Sequence, residues 1–331
     1  MIADKLPLIN IKGLKKHYPI KKGIIPHEVG KVYAVDGVDL EIYEGETLGL
    51  VGESGCGKST IGRTMAGLEK PTEGDIIYGE QVLNQVTKKE MKELRTQIQM
   101  VFQDSYSSLN PRKRVYDILS APMLYHKLSS KESIREDVRH YLELVGLPEN
   151  AMEKYPHEFS GGQRQRIGIA RALSLKPRFI ICDEPVSALD VSVGAKVLNL
   201  LKDLQKELGL TLLFIGHGLD AVTYMSNRIA VMYLGKIVEV GLAEELLKNP
   251  MHPYTKALYS AVPVADPTVK NREKIILQGE VPINTQKRTG CPFYSRCPYA
   301  VDSCKVGEIP LQPVKGEGTH LVACPLAEKI V

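Results

Sequence analysis

One eight-residue loop constrains this 331-residue chain more than any other feature of its sequence. It reads Gly52-Glu53-Ser54-Gly55-Cys56-Gly57-Lys58-Ser59. A glycine, four residues and then Gly-Lys-Ser is the spacing of a loop whose backbone N–H groups wrap phosphate. The apolar run ETLGLV precedes the loop and helical spacing follows it, which a chance glycine turn would not produce together. The sequence therefore predicts a strand, a phosphate-binding loop and a helix whose N-terminus faces the anion.

Two side chains of the loop have defined chemistry toward a nucleotide. Lys58 would reach the β and γ phosphates, and the Ser59 hydroxyl would ligate Mg²⁺. Thr60, the next residue, is expected to belong to the same binding set. ATP with Mg²⁺ is therefore the expected ligand, although the loop by itself could equally belong to a kinase or a GTPase.

Net charge and hydropathy indicate which classes of partner the chain can bind directly. A net charge of +4, from 43 Lys and Arg against 39 Asp and Glu, is too small to indicate a nucleic-acid partner. No stretch approaches the roughly 18 apolar residues of a membrane-spanning helix, and the N-terminus lacks the apolar core of a signal peptide. We therefore expect a cytoplasmic protein that meets a membrane only through a partner.

Strands and helices alternate along the chain, which indicates an α/β core. RFIICDEP and LTLLFIGH predict buried parallel strands, separated by the amphipathic stretch VSVGAKVLNLLKDLQKELG. Residues 8–51 predict several strands with a loop inserted over 21–30, and PTEGDIIYGE predicts turns. Residues from about 106 to 175 predict a helical insert. Proline, glycine and cysteine become frequent toward the end, so we place a domain boundary near Asn249.

Polar residues follow three of the predicted strands, and we expect them to form the catalytic set. Asp183 is positioned to hold Mg²⁺ directly or through water, and Glu184 to orient and polarise the attacking water. Gln103 follows IQMVF and would contact the metal and the water, while His217 follows LTLLFI and would contact the γ phosphate. Each would be an ordinary strand terminus without the phosphate loop.

A second glycine-rich segment opens another predicted helix. It reads Ser160-Gly161-Gly162-Gln163, and it precedes a run with two arginines. Such a helix N-terminus is a second anion site, and one compact domain has little reason to bind one nucleotide twice. The segment is therefore expected to serve the nucleotide of another subunit. Simple N-capping by Ser160 is the alternative, and it does not explain the arginines.

With these motifs in this order, the chain from about Leu8 to Gly241 resembles the ABC-type ATPases. The resemblance implies an α/β P-loop NTPase core with an antiparallel β subdomain and a helical insert. It also implies a head-to-tail dimer in which the SGGQ signature closes over the ATP of the partner. By the same resemblance Gln103 is the Q-loop glutamine and His217 the switch histidine, although Gly218 stands where relatives commonly have Asp. The D-loop is Ser187-Ala188-Leu189-Asp190.

The resemblance also implies an aromatic side chain that stacks on adenine. Tyr18, in LKKHYP, matches it. Tyr33 is the alternative, because the inserted loop disturbs the alignment there.

The phrases NPMHPYTKAL and VFQDSYSSLNPR resemble the ATPases of oligopeptide and dipeptide importers, whose nickel and metallophore relatives share them. The chain resembles most the F subunit of such a system, and the D subunit is the alternative. This implies a heterodimer with a second ABC ATPase at the cytoplasmic face of the membrane. Its other partners would be two transmembrane permeases and an extracytoplasmic substrate-binding lipoprotein. We expect residues 1–248 to form the ATPase domain and 249–331 a C-terminal extension.

ABC ATPases that act on DNA or ribosomes are the alternative of another class. Those proteins usually carry long coiled coils, zinc-hook insertions or two fused cassettes. This sequence has one phosphate loop and a short helical insert, so transport is favoured.

Four of the six cysteines lie near the C-terminus: Cys291, Cys297, Cys304 and Cys324. Four thiolates in a loop-rich segment could hold zinc or an iron–sulfur cluster, but the spacing matches neither a zinc ribbon nor a ferredoxin. GCPFYSRCPYAVDSC and ACPLAE resemble the tail of oligopeptide-transporter ATPases, some of which are reported to carry a 4Fe-4S cluster. A 4Fe-4S cluster with a structural role is therefore expected, with zinc or free, transiently oxidised thiols as alternatives. Cys56 and Cys182 are expected only to fill small spaces in their motifs.

Overall fold

The computed structural model describes residues 6–261, 275–277, 282–316 and 318–330. The parts of the predicted C-terminal extension at 262–274, 278–281, 317 and 331 lie outside the described residues. The strands are β1 Pro7–Lys22, β2 His27–Tyr43, β3 Thr47–Val51, β4 Glu73–Tyr78, β5 Gln81–Val82, β6 Ile98–Val101, β7 Phe179–Asp183, β8 Thr211–Gly216, β9 Arg228–Tyr233, β10 Lys236–Leu242, β11 Gln312–Pro313 and β12 Leu321–Val322. The α-helices are α1 Lys58–Met65, α2 Lys88–Gln97, α3 Ser105–Ser108, α4 Val115–Tyr125, α5 Ile134–Leu144, α6 Gly161–Leu173, α7 Val191–Leu208, α8 Leu219–Met225, α9 Ala243–Lys248 and α10 Pro253–Ser260.

The chain divides into two compact units, which we call the helical unit and the sheet unit. The helical unit comprises Tyr43–Glu46 and Gln85–Ile215. The sheet unit comprises Leu6–Ile42, Thr47–Asn84 and Gly216–Val331. Each unit combines segments that are far apart in the sequence, and neither unit begins or ends near Asn249. The domain boundary at that position stays a prediction.

The helical unit contains three parallel strands in the order β8-β7-β6, with Asp183 opposite Ile215. All five residues of β7 are buried, as a strand covered on both faces requires. The helical insert is confirmed, since α3, α4, α5 and α6 follow one another through it. Helix α7 is N-capped by Asp190, whose side chain accepts the N–H of Val193, and C-capped by Gly209 with φ 63°.

The sheet unit contains the expected antiparallel β subdomain, a four-stranded sheet in the order β2-β1-β4-β5. Strands β1 and β4 pair antiparallel, with Ile11 opposite Ile76, and both of these side chains are buried. A second group of strands runs in the order β11-β12-β10-β9-β3, where β3 and β9 are parallel. Strand β3 therefore delivers the phosphate loop at its carboxyl end.

Two predictions about this unit are wrong. The loop expected over residues 21–30 is only a turn at 23–26, because β1 continues to Lys22 and β2 begins at His27. The segment PTEGDIIYGE was expected to form turns, but it contains β4, whose alternate residues Ile76 and Tyr78 are buried. In both cases pairing with β1 determines the backbone, and neither segment has a long enough pattern to show it.

The C-terminal residues are anchored on β10 by one buried carboxylate. Glu239 is fully buried and accepts hydrogen bonds from the N–H groups of Met251 and His252, at 2.7 and 2.9 Å. It also lies 2.7 Å from Nε2 of His320, whose Nδ1 is 3.4 Å from Glu245. Strand β12 pairs with β10 immediately beside this cluster. Glu239 thus joins the start of α10 to His320, the residue that immediately precedes β12.

None of the helices in the described part of the chain is long and apolar enough to span a membrane.

We predict that this anchor weakens as pH rises. Burial opposes protonation of His320, but the hydrogen bond and charge of Glu239, with the charge of Glu245, outweigh it and raise the pKa of His320. The stabilisation is therefore complete below the unfolded pKa of about 6.5 and is lost as pH rises through the higher folded pKa. Thermal unfolding of the wild type and of His320→Gln across this pH range measures the difference.

The glutamine variant should lack this component of the pH dependence, because it can donate a hydrogen bond but does not titrate. His320→Ala should cost about 3 kcal/mol of stability, since it leaves a buried carboxylate without its charged partner. Equal pH slopes for the wild type and His320→Gln would contradict the assignment.

Candidate functional site

The phosphate loop has a backbone that only glycine can adopt at two positions. Gly52 has φ 155°, and a Cβ there would lie 2.1 Å from the carbonyl oxygen of Met232. Gly57 has φ 111°, and a Cβ there would lie 2.0 Å from the carbonyl oxygen of Ala34. Helix α1 begins directly after Gly57. The loop is therefore wrapped tightly against neighbouring main chain and leads directly into the N-terminus of α1, the end of a helix that favours an anion.

Lys58 supplies the positive charge of this loop. Its side chain is buried, and Nζ donates to the carbonyl oxygens of Gly52 and Glu53 at 2.8 and 3.1 Å. Both acceptors are neutral peptide oxygens, so neither cancels the charge of the ammonium. A buried cation held in this way favours a phosphate anion at the loop.

In the helical unit, Glu184 and Gln103 are brought together. Gln103 Nε2 donates to Oε2 of Glu184 at 2.8 Å. Glu184 follows β7 in a left-handed conformation, φ 48°, and its N–H donates to Ile215 of β8 at 2.9 Å. Such a strained non-glycine residue is uncommon and is often found at functional sites. Asp183 is the last residue of β7 and is also buried.

The signature segment forms the capped start of α6. Ser160 Oγ accepts the N–H of Gln163, and Gln163 Oε1 accepts the N–H of Ser160, which is a capping box. The N-capping alternative is thus real, but it leaves Ser160 and Gly161 exposed at the helix N-terminus. A Cβ on Gly162 would lie 2.2 Å from Val193, so this glycine allows close packing against α7.

The D-loop lies beside the signature. A Cβ on Gly161 would approach Leu189 to 3.2 Å. Both segments and the pair of Gln103 and Glu184 belong to the helical unit, whereas the phosphate loop belongs to the sheet unit.

The remaining predicted residues lie in the sheet unit. His217 follows β8 and is exposed, and Gly218 precedes α8. A side chain at position 218 would displace Asp220, whose Oδ1 lies 2.6 Å from the Cβ position. Tyr18 is half-buried on β1, its hydroxyl donates to Glu69, and Lys16 lies 5.1 Å from the ring centre. The ring of Tyr33 packs on His17, 4.6 Å between centres.

The four clustered cysteines line one cavity together with His252. Burial raises the pKa of Cys291 to about 11 and also raises the pKa of Cys297 and Cys324. These three thiols are therefore protonated near neutral pH. Across residues 6–261, 275–277, 282–316 and 318–330, no three His, Cys, Asp or Glu side chains are grouped closely enough to hold a metal ion.

Cys56 and Cys182 are both buried, as expected of small space-filling residues. Burial raises the pKa of Cys182 to about 12, which makes it chemically inert.

Two contacts of the phosphate loop were not predicted. Tyr254 of α10 accepts the N–H of Glu53, and Arg296 pairs with the Glu53 carboxylate. Both partners lie more than two hundred residues beyond Glu53, since the separations are 201 and 243 residues. NPMHPYTKAL marked Tyr254 only as part of a helix, and no sequence signal marked Arg296.

Comparison with known proteins agrees with this geometry. The family described as ABC transporter matches residues 35–187, and the oligopeptide/dipeptide transporter C-terminal region matches residues 238–304. The Oligopeptide transport ATP-binding protein AppF of Bacillus subtilis is 50% identical over 327 residues, which span 98% of both chains. The chain belongs to the ABC transporter ATP-binding proteins of the oligopeptide/dipeptide transport family.

A second relative and a solved structure are also similar to this chain. The Dipeptide transport ATP-binding protein DppF of Escherichia coli is 49% identical and aligns over 96% of this chain and 94% of its own. Among solved structures, the ATP-binding cassette MJ0796, a dimer in a post-hydrolysis state bound to ADP and Pi, is 30% identical. It superposes with a TM-score of 0.63 and covers 71% of this chain and 98% of its own. The ABC ATPase fold is therefore confirmed.

We predict that Glu184→Gln impairs hydrolysis of ATP, whereas Lys58→Ala impairs binding of ATP. Glu184→Gln should bind ATP but lower its hydrolysis by at least about 100-fold, because the water loses its polarising carboxylate. Lys58→Ala should weaken ATP binding itself by about tenfold or more, because a charged hydrogen-bond donor is removed. ATP titration and phosphate release, measured on the same preparations, separate the two defects.

Glutamine is nearly isosteric with Glu184, so the variant controls for packing around Gln103. Turnover near that of the wild type would show that Glu184 is not the catalytic carboxylate. Unchanged ATP affinity in Lys58→Ala would count against the phosphate-loop assignment.

Proposed function

We propose that this chain is the ATP-hydrolysing motor subunit of an importer for oligopeptides or dipeptides. The observation that carries the proposal is the near-full-length identity of about one residue in two with proteins named for oligopeptide and dipeptide transport. The match extends past the ATPase core into the region specific to this family. ATP and Mg²⁺ are the ligands that an ABC ATPase requires.

We propose the following roles for the side chains of this site. Lys58 and the loop N–H groups bind the phosphates, and Ser59, Asp183 and Gln103 hold Mg²⁺, which supplies charge neutralisation at the phosphates. Glu184 polarises the attacking water, and the hydrogen bond from Gln103 holds its carboxylate in one orientation. His217 contacts the γ phosphate, and Tyr18 stacks on adenine.

Hydrolysis requires a second ATPase subunit. The exposed start of α6, from Ser160 to Gln163, serves the ATP of the partner, and the partner's signature completes the site at Lys58. The dimeric state of the cassette MJ0796 supports this arrangement. The partner is a related ATPase, which makes the pair a heterodimer.

The chain corresponds to the F subunit, since the relatives AppF and DppF bear that letter. Two permeases hold the heterodimer at the cytoplasmic face of the membrane, and an extracytoplasmic lipoprotein delivers the peptide. Residues 1–248 act as the ATPase domain and 249–331 as the extension.

Peptide uptake tests the transport function. The gene is expressed together with the genes for its proposed partners in a bacterium deleted for peptide importers, where it should restore uptake of a labelled tri- or tetrapeptide. The same set of genes with Glu184→Gln in this chain should not restore uptake, although the assembled complex should still be recovered with the membranes. Uptake of nickel but not of peptide, or stimulation of the ATPase by DNA or ribosomes, would contradict the peptide assignment.

We further propose that the cavity lined by the four cysteines holds a 4Fe-4S cluster. The cluster would cross-link the C-terminal segment, by which we mean the described residues 282–316 and 318–330. Four thiols line one cavity, and four cysteine thiolates are the usual ligands of such a cluster. His252 lines the same cavity, and its Nε2 lacks a hydrogen-bond partner among the described residues. Burial lowers the pKa of His252 to about 4, and its Nδ1 accepts the N–H of Tyr254, so Nε2 carries the proton. That buried donor suits a cavity that contains an anionic group.

Because the thiols are not yet grouped as ligands, binding requires them to move together and to lose their protons. When bound, the cluster supplies four bonds to sulfur that cross-link the segment.

The cluster is tested by anaerobic purification. We expect a brown protein with about four iron atoms per chain. Cys297→Ser should lose the iron, whereas Cys182→Ala, which alters a buried cysteine outside the cavity, should retain it. A colourless protein that contains zinc would replace the cluster with the zinc alternative, and a metal-free protein with four titratable thiols would contradict both.

A further inference from the structure

The C-terminal segment contacts the phosphate loop through a bidentate ion pair between Arg296 and Glu53. Arg296 Nη1 lies 2.7 Å from Oε2 of Glu53, and Nη2 lies 3.2 Å from Oε1. The Arg296 side chain is 7% exposed and that of Glu53 is 27% exposed. Paired, largely buried contacts of this kind are the strong class of ion pair, whereas exposed single contacts contribute little.

Neighbouring aromatic residues hold Arg296 in this position. Its Nη1 lies 3.4 Å from the hydroxyl of Tyr233, which packs on Tyr254 and Phe293 with ring centres 4.6 and 5.2 Å apart. Tyr254 in turn accepts the N–H of Glu53 at 2.8 Å. The loop residue Glu53 is therefore fixed both at its side chain and at its main chain.

This matters to the nucleotide for two physical reasons. The carbonyl oxygens of Gly52 and Glu53 are the two acceptors that hold the Lys58 ammonium, and the N–H that Tyr254 accepts belongs to the Gly52–Glu53 peptide group. Anchoring Glu53 therefore also fixes the position of Lys58. In addition, Glu53 places a carboxylate inside a loop built for a polyanion, where an unneutralised negative charge would repel phosphate. Arg296 cancels that charge without occupying the loop itself.

We propose that Arg296 is a positioning residue of the nucleotide site, which neutralises and anchors Glu53 and thereby makes the C-terminal segment a determinant of ATP affinity. The inference rests on the proposed binding of ATP at this loop. It requires no contact between Arg296 and ATP.

The test is calorimetric titration of the purified full-length chain with MgATP. Arg296→Ala should weaken MgATP binding roughly tenfold, as expected for the loss of a bidentate charged contact. Arg296→Lys keeps the positive charge but cannot form the bidentate contact, so the loss of MgATP affinity should be smaller. Arg114→Ala is the matched control, because it removes an exposed Arg–Glu pair in the helical unit and should leave the affinity unchanged.

A double-mutant cycle separates this role from a purely structural one. When Glu53→Gln has already removed the carboxylate, adding Arg296→Ala should change the affinity less than about threefold, because no unpaired charge remains. The inference is overturned if Arg296→Ala binds MgATP as the wild type does. It is equally overturned if the substitution weakens binding by the same factor in both backgrounds, which would indicate a general loss of packing. Failure of the wild-type protein to bind MgATP would contradict the proposed function instead.

Discussion

The phosphate loop depends on a buried ammonium that two neutral peptide oxygens hold within a constrained main chain. Lys58 can occupy its position only because Gly52 and Gly57 bring the loop within van der Waals distance of other carbonyls, where any Cβ would clash. The buried charge is stabilised by peptide dipoles until an anion arrives. Everything else at the loop either supplies this geometry, as β3 and α1 do, or protects it, as the pairing of Glu53 does.

The local sequence predicts the parts of this arrangement that arise from neighbouring residues. The glycine spacing and the flanking runs located the loop, β3 and α1, and the buried strand β7 was evident from FIICD. The capped helices α6 and α7 were predictable because Ser160 and Asp190 precede clear helical periodicity. The hydrogen bond between Gln103 and Glu184 also follows from neighbouring parallel strands, whose ends meet at one edge.

What the sequence did not predict depends on contacts between distant residues. The length of the β1–β2 hairpin is determined by strand pairing, and an exposed stretch with few alternating apolar residues carries no sign of it. Strands β11 and β12 have two residues each, too few for any periodicity. The buried Glu239, which joins β10 to α10 and to His320, appeared in the sequence as one more acidic residue. Long-range pairing and burial, rather than local propensity, decide these features.

The Arg296–Glu53 contact also has a consequence for the order in which the molecule is made. The loop is synthesised early, but its last two anchors come from residues 201 and 243 positions later in the chain. During synthesis, when N-terminal segments emerge first, the loop exists for most of translation with the Glu53 carboxylate uncompensated. The full set of contacts around Glu53 therefore forms only after Arg296 has been synthesised, so these late residues complete a loop that was made much earlier.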